Sequence, residues 1–270
     1  MNGEILLKVS NLKVDFPITR GLFKRVVGAV KALDQIDFTL KKGKVLGIVG
    51  ETGSGKTTLA RAILRLILPT SGSVEFAGQN VAHLQGAALK QFRRDAQIIF
   101  QNPYTSLNPR KRIVDIIAEG PKFHGLVTTP AEQEALVAET LRQVGLPPEM
   151  LLLYPHQVSG GQLQRICIGR AIALRPQMII CDEAVSSLDV SVQAQILNLL
   201  QELKDTLGLS YLFISHDLSI VKYLSDDVLV LHLGKVVEQG ETEEVFRRPK
   251  ADYTKELLAS IPPREPKLRQ

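Results

Sequence analysis

A chain of 270 residues with 44% hydrophobic residues has enough apolar material for a full core in one domain, or in one domain carrying an inserted subdomain. Charged residues make up 23%, no stretch is biased enough to suggest disorder, and no apolar run approaches the ~18 residues that span a bilayer. The formal charge of +5 gathers at residues 20–31 and after Arg247, a pattern that suits nucleic acid, an anionic membrane surface or phosphates and selects none of them. Two cysteines, Cys167 on an apolar helix face and Cys181 in an apolar strand, imply neither a disulfide framework nor a zinc site and read as small buried hydrophobes. The start, Met1-Asn2-Gly3-Glu4, lacks the basic region and apolar run of a signal peptide. The expectation is an intracellular, soluble chain that reaches any membrane through partners.

Residues 6–9, 13–16 and 36–40 read as short β segments, separated by a Gly- and Arg-containing loop over 17–28. The apolar run 45–49 leads into a glycine-rich loop and then a helix, with Leu59, Ala62, Ile63 and Leu66 on one face and Pro69 as its stop. Residues 102–155 carry seven prolines, helix-forming stretches at 113–119 and 131–144 and no clear strand, which predicts an inserted helical subdomain. Strand and helix then alternate: strand 178–181, helix 192–207, strands 211–215 and 228–231. A hairpin turn at Gly234-Lys235 leads into 236–238, and a helix covers 252–259 before a frayed tail.

The loop Gly50-Glu51-Thr52-Gly53-Ser54-Gly55-Lys56-Thr57, followed by Thr58, has strand before it and helix after it, the context that a phosphate loop requires. Its glycines let successive N–H groups turn toward a β-phosphate, and the helix adds its positive end. Lys56 is placed to bridge β- and γ-phosphates, and the Thr57 hydroxyl to ligate Mg²⁺. Asp182 ends an apolar strand, where open α/β sheets bind ligands, and is expected to hold Mg²⁺ through water. Glu183 points the other way and is the candidate general base for an attacking water. His216 follows another apolar strand, and Gln101 follows residues 98–100. Taken alone, the first could be a structural histidine and the second a polar strand end. Ser159 is a good N-cap, and Gly160-Gly161 with Gln162 leave a second helix terminus open to an anion; that helix should bury Leu163, Ile166, Cys167 and Ala171 on one face.

These motifs, in this order, resemble the ATPase subunits of ABC transporters over essentially the whole chain. The fold implied is an α/β P-loop NTPase core of RecA-like type, with an N-terminal antiparallel β subdomain and an inserted α-helical subdomain. Its parts are expected at 1–101 (β subdomain and first part of the core), 102–158 (helical insert), 159–248 (second part of the core) and 249–270 (C-terminal helix and tail). The resemblance implies two ATP molecules sandwiched in a head-to-tail dimer, each held by one subunit's phosphate loop and the other's Ser159-Gly160-Gly161-Gln162. It implies that His216 senses the γ-phosphate, that Gln101 reaches Mg²⁺ or water, and that Ser187-Leu188-Asp189 contacts the partner. It further implies that Phe16 stacks on adenine, although a core phenylalanine fits that position as well. Phe100-Gln101-Asn102-Pro103, Ser106-Leu107-Asn108-Pro109-Arg110, Tyr154-Pro155-His156-Gln157 and Asp252-Tyr253-Thr254-Lys255 narrow the likeness to the ATPases of peptide- and nickel-type importers. Such a subunit hydrolyses ATP at the cytoplasmic face of the plasma membrane. Its expected partners are two multi-span permease subunits, a second like or unlike ATPase and, indirectly, a solute-binding protein. A soluble ABC-type ATPase acting on nucleic acid or ribosomes is the alternative. No coiled coil separates Gln101 from Ser159 and only one ATPase module is present, so no nucleic acid partner is expected. Val158 and Ala184 depart from the leucine and proline usual at those places, and the tail over 261–270 carries no cysteine, so no iron–sulfur cluster is expected.

Overall fold

The computed structural model describes residues 3–20 and 25–260. Its first element is a long hairpin: strand β1 (Ile5–Arg20) pairs antiparallel with β2 (Arg25–Lys41), in a register that includes Leu7 opposite Leu40, Val14 opposite Leu33 and Phe16 opposite Val30. Three short segments and a loop over 17–28 were expected here. Instead the pairing runs on through Pro17 opposite Ala29 and Ile18 opposite Gly28. Strand β4 (Ser71–Phe76) pairs with β1 only from Leu7 to Lys13, so Pro17 sits where β1 has a single neighbour and a missing N–H need not break a ladder. A short β5 (Gln79–Asn80) completes a four-stranded sheet of order β2-β1-β4-β5. Residues 21–24, and the expected tail over 261–270, lie outside the described residues.

The second sheet contains β3 (Val45–Val49), β6 (Ala96–Ile99), β7 (Met178–Asp182), β8 (Ser210–Ile214), β9 (Asp227–His232) and β10 (Lys235–Glu241) in the order β10-β9-β3-β8-β7-β6. Five of these strands run parallel, and β10 returns antiparallel from β9. Strands buried on both faces carry continuous apolar runs, and their alternation still assigns each side chain to a layer. In β7, Met178 and Ile180 join the cluster under the antiparallel sheet, whereas Ile179 and Cys181 face the helical layer. Both cysteines are buried, and burial pushes their thiols up, as inert core residues require.

Ten α-helices and three short 3-10 turns complete the described residues, the α-helices being α1 (Lys56–Ile63), α2 (Gly86–Asp95), α3 (Pro103–Ser106), α4 (Ile113–His124), α5 (Pro130–Gln143), α6 (Gly160–Ile172), α7 (Val190–Leu207), α8 (Leu218–Leu224), α9 (Thr242–Arg247) and α10 (Asp252–Ala259). Residues 102–158 contain helices and turns, with α4 and α5 packed together and against α6 through Ile117, Val137, Leu141 and Ile166. Helix α1 is shorter than its pattern suggested. It stops at Ile63, and Leu66 is 57% exposed rather than on the buried face. The cause is a Schellman end: Arg65 turns left-handed at φ 53°, its N–H bonds Ala62 O, and the Leu66 N–H bonds Arg61 O. The Arg65 guanidinium then bonds the Leu84 carbonyl, which holds the turn in place before Pro69 is reached. Helix α6 also differs from its expected one-faced burial. Ile168, Gly169 and Ile172 are buried along with Leu163, Ile166, Cys167 and Ala171, because the helix is enclosed by α4, α5 and the parallel sheet.

Candidate nucleotide site

Parallel strands that neighbour one another deliver their following residues to one edge of the sheet. The loop 50–57 follows β3, Ser215 and His216 follow β8, Asp182 ends β7, and Gln101 comes just after β6. These strands stand side by side in the order β3-β8-β7-β6, so residues far apart in sequence meet at the carboxyl edge where open α/β sheets bind ligands.

The loop itself is shaped by backbone that side chains would obstruct. A Cβ on Gly50, at φ 152°, would lie 2.1 Å from the Leu231 carbonyl oxygen; on Gly55, at φ 107°, it would lie 2.7 Å from that of Ala32. The β9–β10 turn clasps the loop: Gly234 N–H donates to Ser54 O at 2.9 Å, and Asp34 N–H donates to Gly234 O at 2.7 Å. The loop is thus tied both to β9–β10 and to β2. Lys56 is buried, with Nζ donating to Gly50 O at 2.7 Å and to Glu51 O at 2.8 Å. Burial lowers its pKa, against the opposing pull of Glu183, Asp182 and Glu51. Thr52, Gly53, Gly55, Lys56, Thr57 and Thr58 line an open cleft of about 540 Å³ whose wall also includes Val30, Lys31 and Ala32 of β2, Gln101 and Glu183.

The backbone sends the two acidic side chains to different partners. Asp182 is buried, and the Thr57 hydroxyl donates to its Oδ1 at 3.3 Å. Burial raises its pKa, tempered by the Thr57 bond. Glu183 occupies the left-handed region at φ 51°, a conformation that persists only where its surroundings enforce it. Here the Glu183 N–H donates to Ile214 O at 3.0 Å, and its carbonyl accepts from the Ser186 N–H at 3.1 Å and the Ser186 hydroxyl at 2.9 Å. The turn sends the Glu183 carboxylate away from Asp182 and toward the cleft. Its Oε2 accepts from Gln101 Nε2 at 2.9 Å and lies 3.4 Å from His216 Nδ1. Gln101, Glu183 and His216 therefore converge on one oxygen atom.

A small hard cation fits the donor set next to them. Mg²⁺ uses one or two protein oxygens and takes its other ligands from phosphates and water. A buried carboxylate whose one side-chain partner is a threonine hydroxyl is that kind of protein share, and the bond from Gln101 Nε2 leaves its Oε1 as a further oxygen.

The second helix terminus lies apart from this cleft. At the start of α6, Ser159 Oγ accepts from Gln162 N–H at 3.3 Å, and Gln162 Oε1 accepts from Ser159 N–H at 2.9 Å, a reciprocal capping box. Ser159, Gly160, Gly161 and Gln162 line a separate cleft of about 450 Å³ with Ser187, Leu188 and Asp189. A Cβ on Gly161 would come within 2.8 Å of Val192 Cγ1, so α6 begins pressed against α7. Phe16 is 44% exposed and hence no core residue; it stands across the hairpin from Val30, a residue of the nucleotide cleft wall. Sequence reading missed that wall, because residues 30–32 and Leu233 carry no motif and reach the cleft only through strand pairing.

Comparison with known proteins decides the family. The family model described as "ABC transporter" matches residues 33–186. The oligopeptide transport ATP-binding protein OppF of Streptococcus mutans is 47% identical over 269 residues, covering 100% of this chain and 85% of the relative. The chain belongs to the ABC transporter family. As an ABC ATPase it binds ATP, hydrolyses it to drive transport, and serves as a subunit of a transporter complex. Oligopeptide transport ATP-binding protein AppF of Bacillus subtilis is 48% identical over 262 residues, 97% of this ABC ATPase and 79% of AppF. Glutathione import ATP-binding protein GsiA of Escherichia coli K12 is 48% identical over 266 residues, 98% of this chain and 42% of GsiA. Among solved structures, cbiO1 from Clostridium perfringens, part of the ABC transporter complex cbiONQ, superposes with a TM-score of 0.76 at 26% identity, covering 91% of this chain and 92% of cbiO1. The ATP-binding cassette MJ0796, a dimer in a post-hydrolysis state bound to ADP and Pi, also gives 0.76 at 26% identity, covering 88% and 99%. Among the described residues of this ABC ATPase, no helix is long and apolar enough to cross a membrane.

Proposed function

We propose that this subunit powers an importer of small peptides, with nickel or a related solute as the alternative cargo, from the cytoplasmic face of the plasma membrane. Support for the cargo class comes from the relatives, two named for oligopeptide transport and one for glutathione import. Two multi-span permeases, a second like or unlike ATPase and a solute-binding protein complete the assembly. Residues 1–101 and 159–248 form the nucleotide core with its β subdomain, 102–158 the helical insert that couples to the permeases, and 249–270 the C-terminal helix and tail.

The observation that carries the site assignment is the convergence of Gln101, Glu183 and His216 on one carboxylate oxygen beside the loop that holds Lys56. ATP lies with its triphosphate along Gly50–Thr58, where Lys56, still steadied by the Gly50 carbonyl, reaches β- and γ-phosphate oxygens with its remaining donors. Thr57, Asp182 and Gln101 would hold Mg²⁺, which would supply neutralisation of the charge that develops on the phosphate oxygens. Glu183, held by Gln101, orients a water and accepts its proton, while His216 hydrogen-bonds the γ-phosphate. Phe16 stacks on adenine. Ser159, Gly160, Gly161 and Gln162 close over the ATP of the opposite subunit, a pairing supported by the separate cleft in which they lie and by the dimeric MJ0796 cassette.

The experiment is nucleotide binding to Lys56→Ala by equilibrium titration with Mg-ATP. The expected result is loss of measurable binding. Undiminished affinity would overturn the phosphate-loop placement.

A further inference from the structure

The first peptide unit of the phosphate loop, between Gly50 and Glu51, is gripped from both sides. On one side its carbonyl oxygen accepts from Lys56 Nζ at 2.7 Å. On the other its N–H donates to the hydroxyl of Tyr253 at 3.2 Å, across 202 residues of chain. A trans peptide is planar, with its N–H and C=O pointing in opposite directions, so a group that holds the N–H also aims the carbonyl. Tyr253 thereby sets the direction of the oxygen on which the lysine rests.

The tyrosine is itself firmly placed. It is the second residue of α10, whose entrance is tied to β10 by Glu238: the Lys250 N–H donates to Oε1 at 2.8 Å and the Ala251 N–H to Oε2 at 3.0 Å. Its ring packs on that of His232, with centroids 3.9 Å apart, and His232 ends β9 one residue after Leu231, whose carbonyl oxygen crowds Gly50. Partial burial raises the Tyr253 pKa above its ordinary value, so the hydroxyl stays neutral and able to accept. Nothing in the nucleotide chemistry needs a tyrosine from a C-terminal helix, yet the helix entrance, the aromatic contact and the bond all converge on this one peptide.

We propose that Tyr253 is a positioning residue for ATP, which preorganises Lys56 and the entry of the phosphate loop by fixing the Gly50–Glu51 peptide. The proposal rests on the placement of the triphosphate on that loop. Because the grip is made before any phosphate arrives, it acts on ground and transition states alike. Its loss should raise KM and leave kcat in place.

The test compares Tyr253→Phe, which keeps the ring on His232 and removes the acceptor, with the unaltered full chain. Mg-ATP binding and thermal unfolding are measured on the purified subunit, and KM and kcat on the assembled transporter. The expected result is a three- to tenfold weaker affinity and a KM raised by about the same factor, the size of one lost hydrogen bond. The expected kcat stays within about twofold, and the Tm of the nucleotide-free chain within about 2 °C. Lys56→Ala serves as the control for the site itself. If Lys56→Ala loses ATP while Tyr253→Phe binds like the unaltered protein, the positioning role is wrong and the site stands. If Lys56→Ala also binds normally, the site placement fails and takes the proposal with it. A fall in Tm of several degrees in Tyr253→Phe, accompanied by loss of kcat, would show a merely structural tyrosine and overturn the role.

Discussion

At the scale of single residues, the decisive feature is the left-handed turn at Glu183. On an ordinary strand end two adjacent side chains go to opposite faces of the sheet, which by itself would not bring both carboxylates to the cleft. The turn sends Asp182 to Thr57 and Glu183 to Gln101 and His216, so that the proposed cation-holding and proton-accepting roles would fall to different places. Glu183→Gln keeps the shape and the contact with Gln101 but cannot take a proton. It is expected to bind Mg-ATP with affinity within about threefold of normal and to lose turnover by about a hundredfold or more. Steady-state phosphate release checks this, and near-normal hydrolysis would remove Glu183 from the base role. Gly50→Ala probes the loop at the same scale. A methyl group 2.1 Å from a carbonyl oxygen cannot be accommodated without moving the loop or β9, so both ATP affinity and Tm should fall.

At the scale of elements, one carboxylate locks the start of the central strand. Asp226 accepts from Lys44 Nζ at 2.7 Å and from the Val45 N–H at 2.8 Å, with Lys204 of α7 at 3.5 Å. Burial alone would raise its pKa, but the bonds from Lys44 and Val45 and the charge of Lys204 outweigh it and hold the carboxyl below its ordinary value. A group depressed in the folded state stabilises the fold above its unfolded pKa and loses that contribution as pH falls through the folded one. Stability should therefore decline on acidification below about pH 4, the ordinary aspartate value. Asp226→Asn should cost about 1–3 kcal/mol near neutrality and flatten that acid limb, as measured by urea unfolding at a series of pH values. An unchanged acid limb would assign the pH dependence to other carboxylates.

The same scale shows what could be read from sequence and what could not. The phosphate loop and the strand-ending Asp182 were legible because their chemistry is local: glycines, a lysine and the following helix act within one turn of chain. The strands over 178–181 and 211–215 were legible as apolar runs. The hairpin of β1 and β2 was not, because Pro17 and Gly28 carry turn chemistry and only pairing across the sheet overrides it. Strand β4 begins Ser71-Gly72-Ser73, which also reads as a turn until β1 supplies its partner. The end of α1 was set by a left-handed arginine rather than by Pro69, and arginine is no signal for that conformation. Tyr253 sits at the start of an ordinary amphipathic helix, and its bond to Glu51 exists only once β3, β9 and β10 stand side by side in one sheet.

At the scale of the whole molecule, the proposed function would make the cleft along the phosphate loop and the separate cleft at Ser159–Gln162 two halves of one site, carried apart on one chain. On that proposal a head-to-tail pair would join each half to its complement, and the helical layer at 102–158 would carry the closure outward as a unit. The positive charge of the chain offers a competing reading, a soluble ATPase on nucleic acid or ribosomes, for which a steep salt dependence of duplex binding would be the sign. The most direct test is affinity purification of the tagged subunit from its native membranes, with the co-purifying proteins identified by mass. The account predicts two multi-span permeases and an ATPase partner, either a second copy or a similar chain. Recovery of ribosomes or DNA enzymes in their place would contradict the transport role while leaving the ATPase chemistry intact.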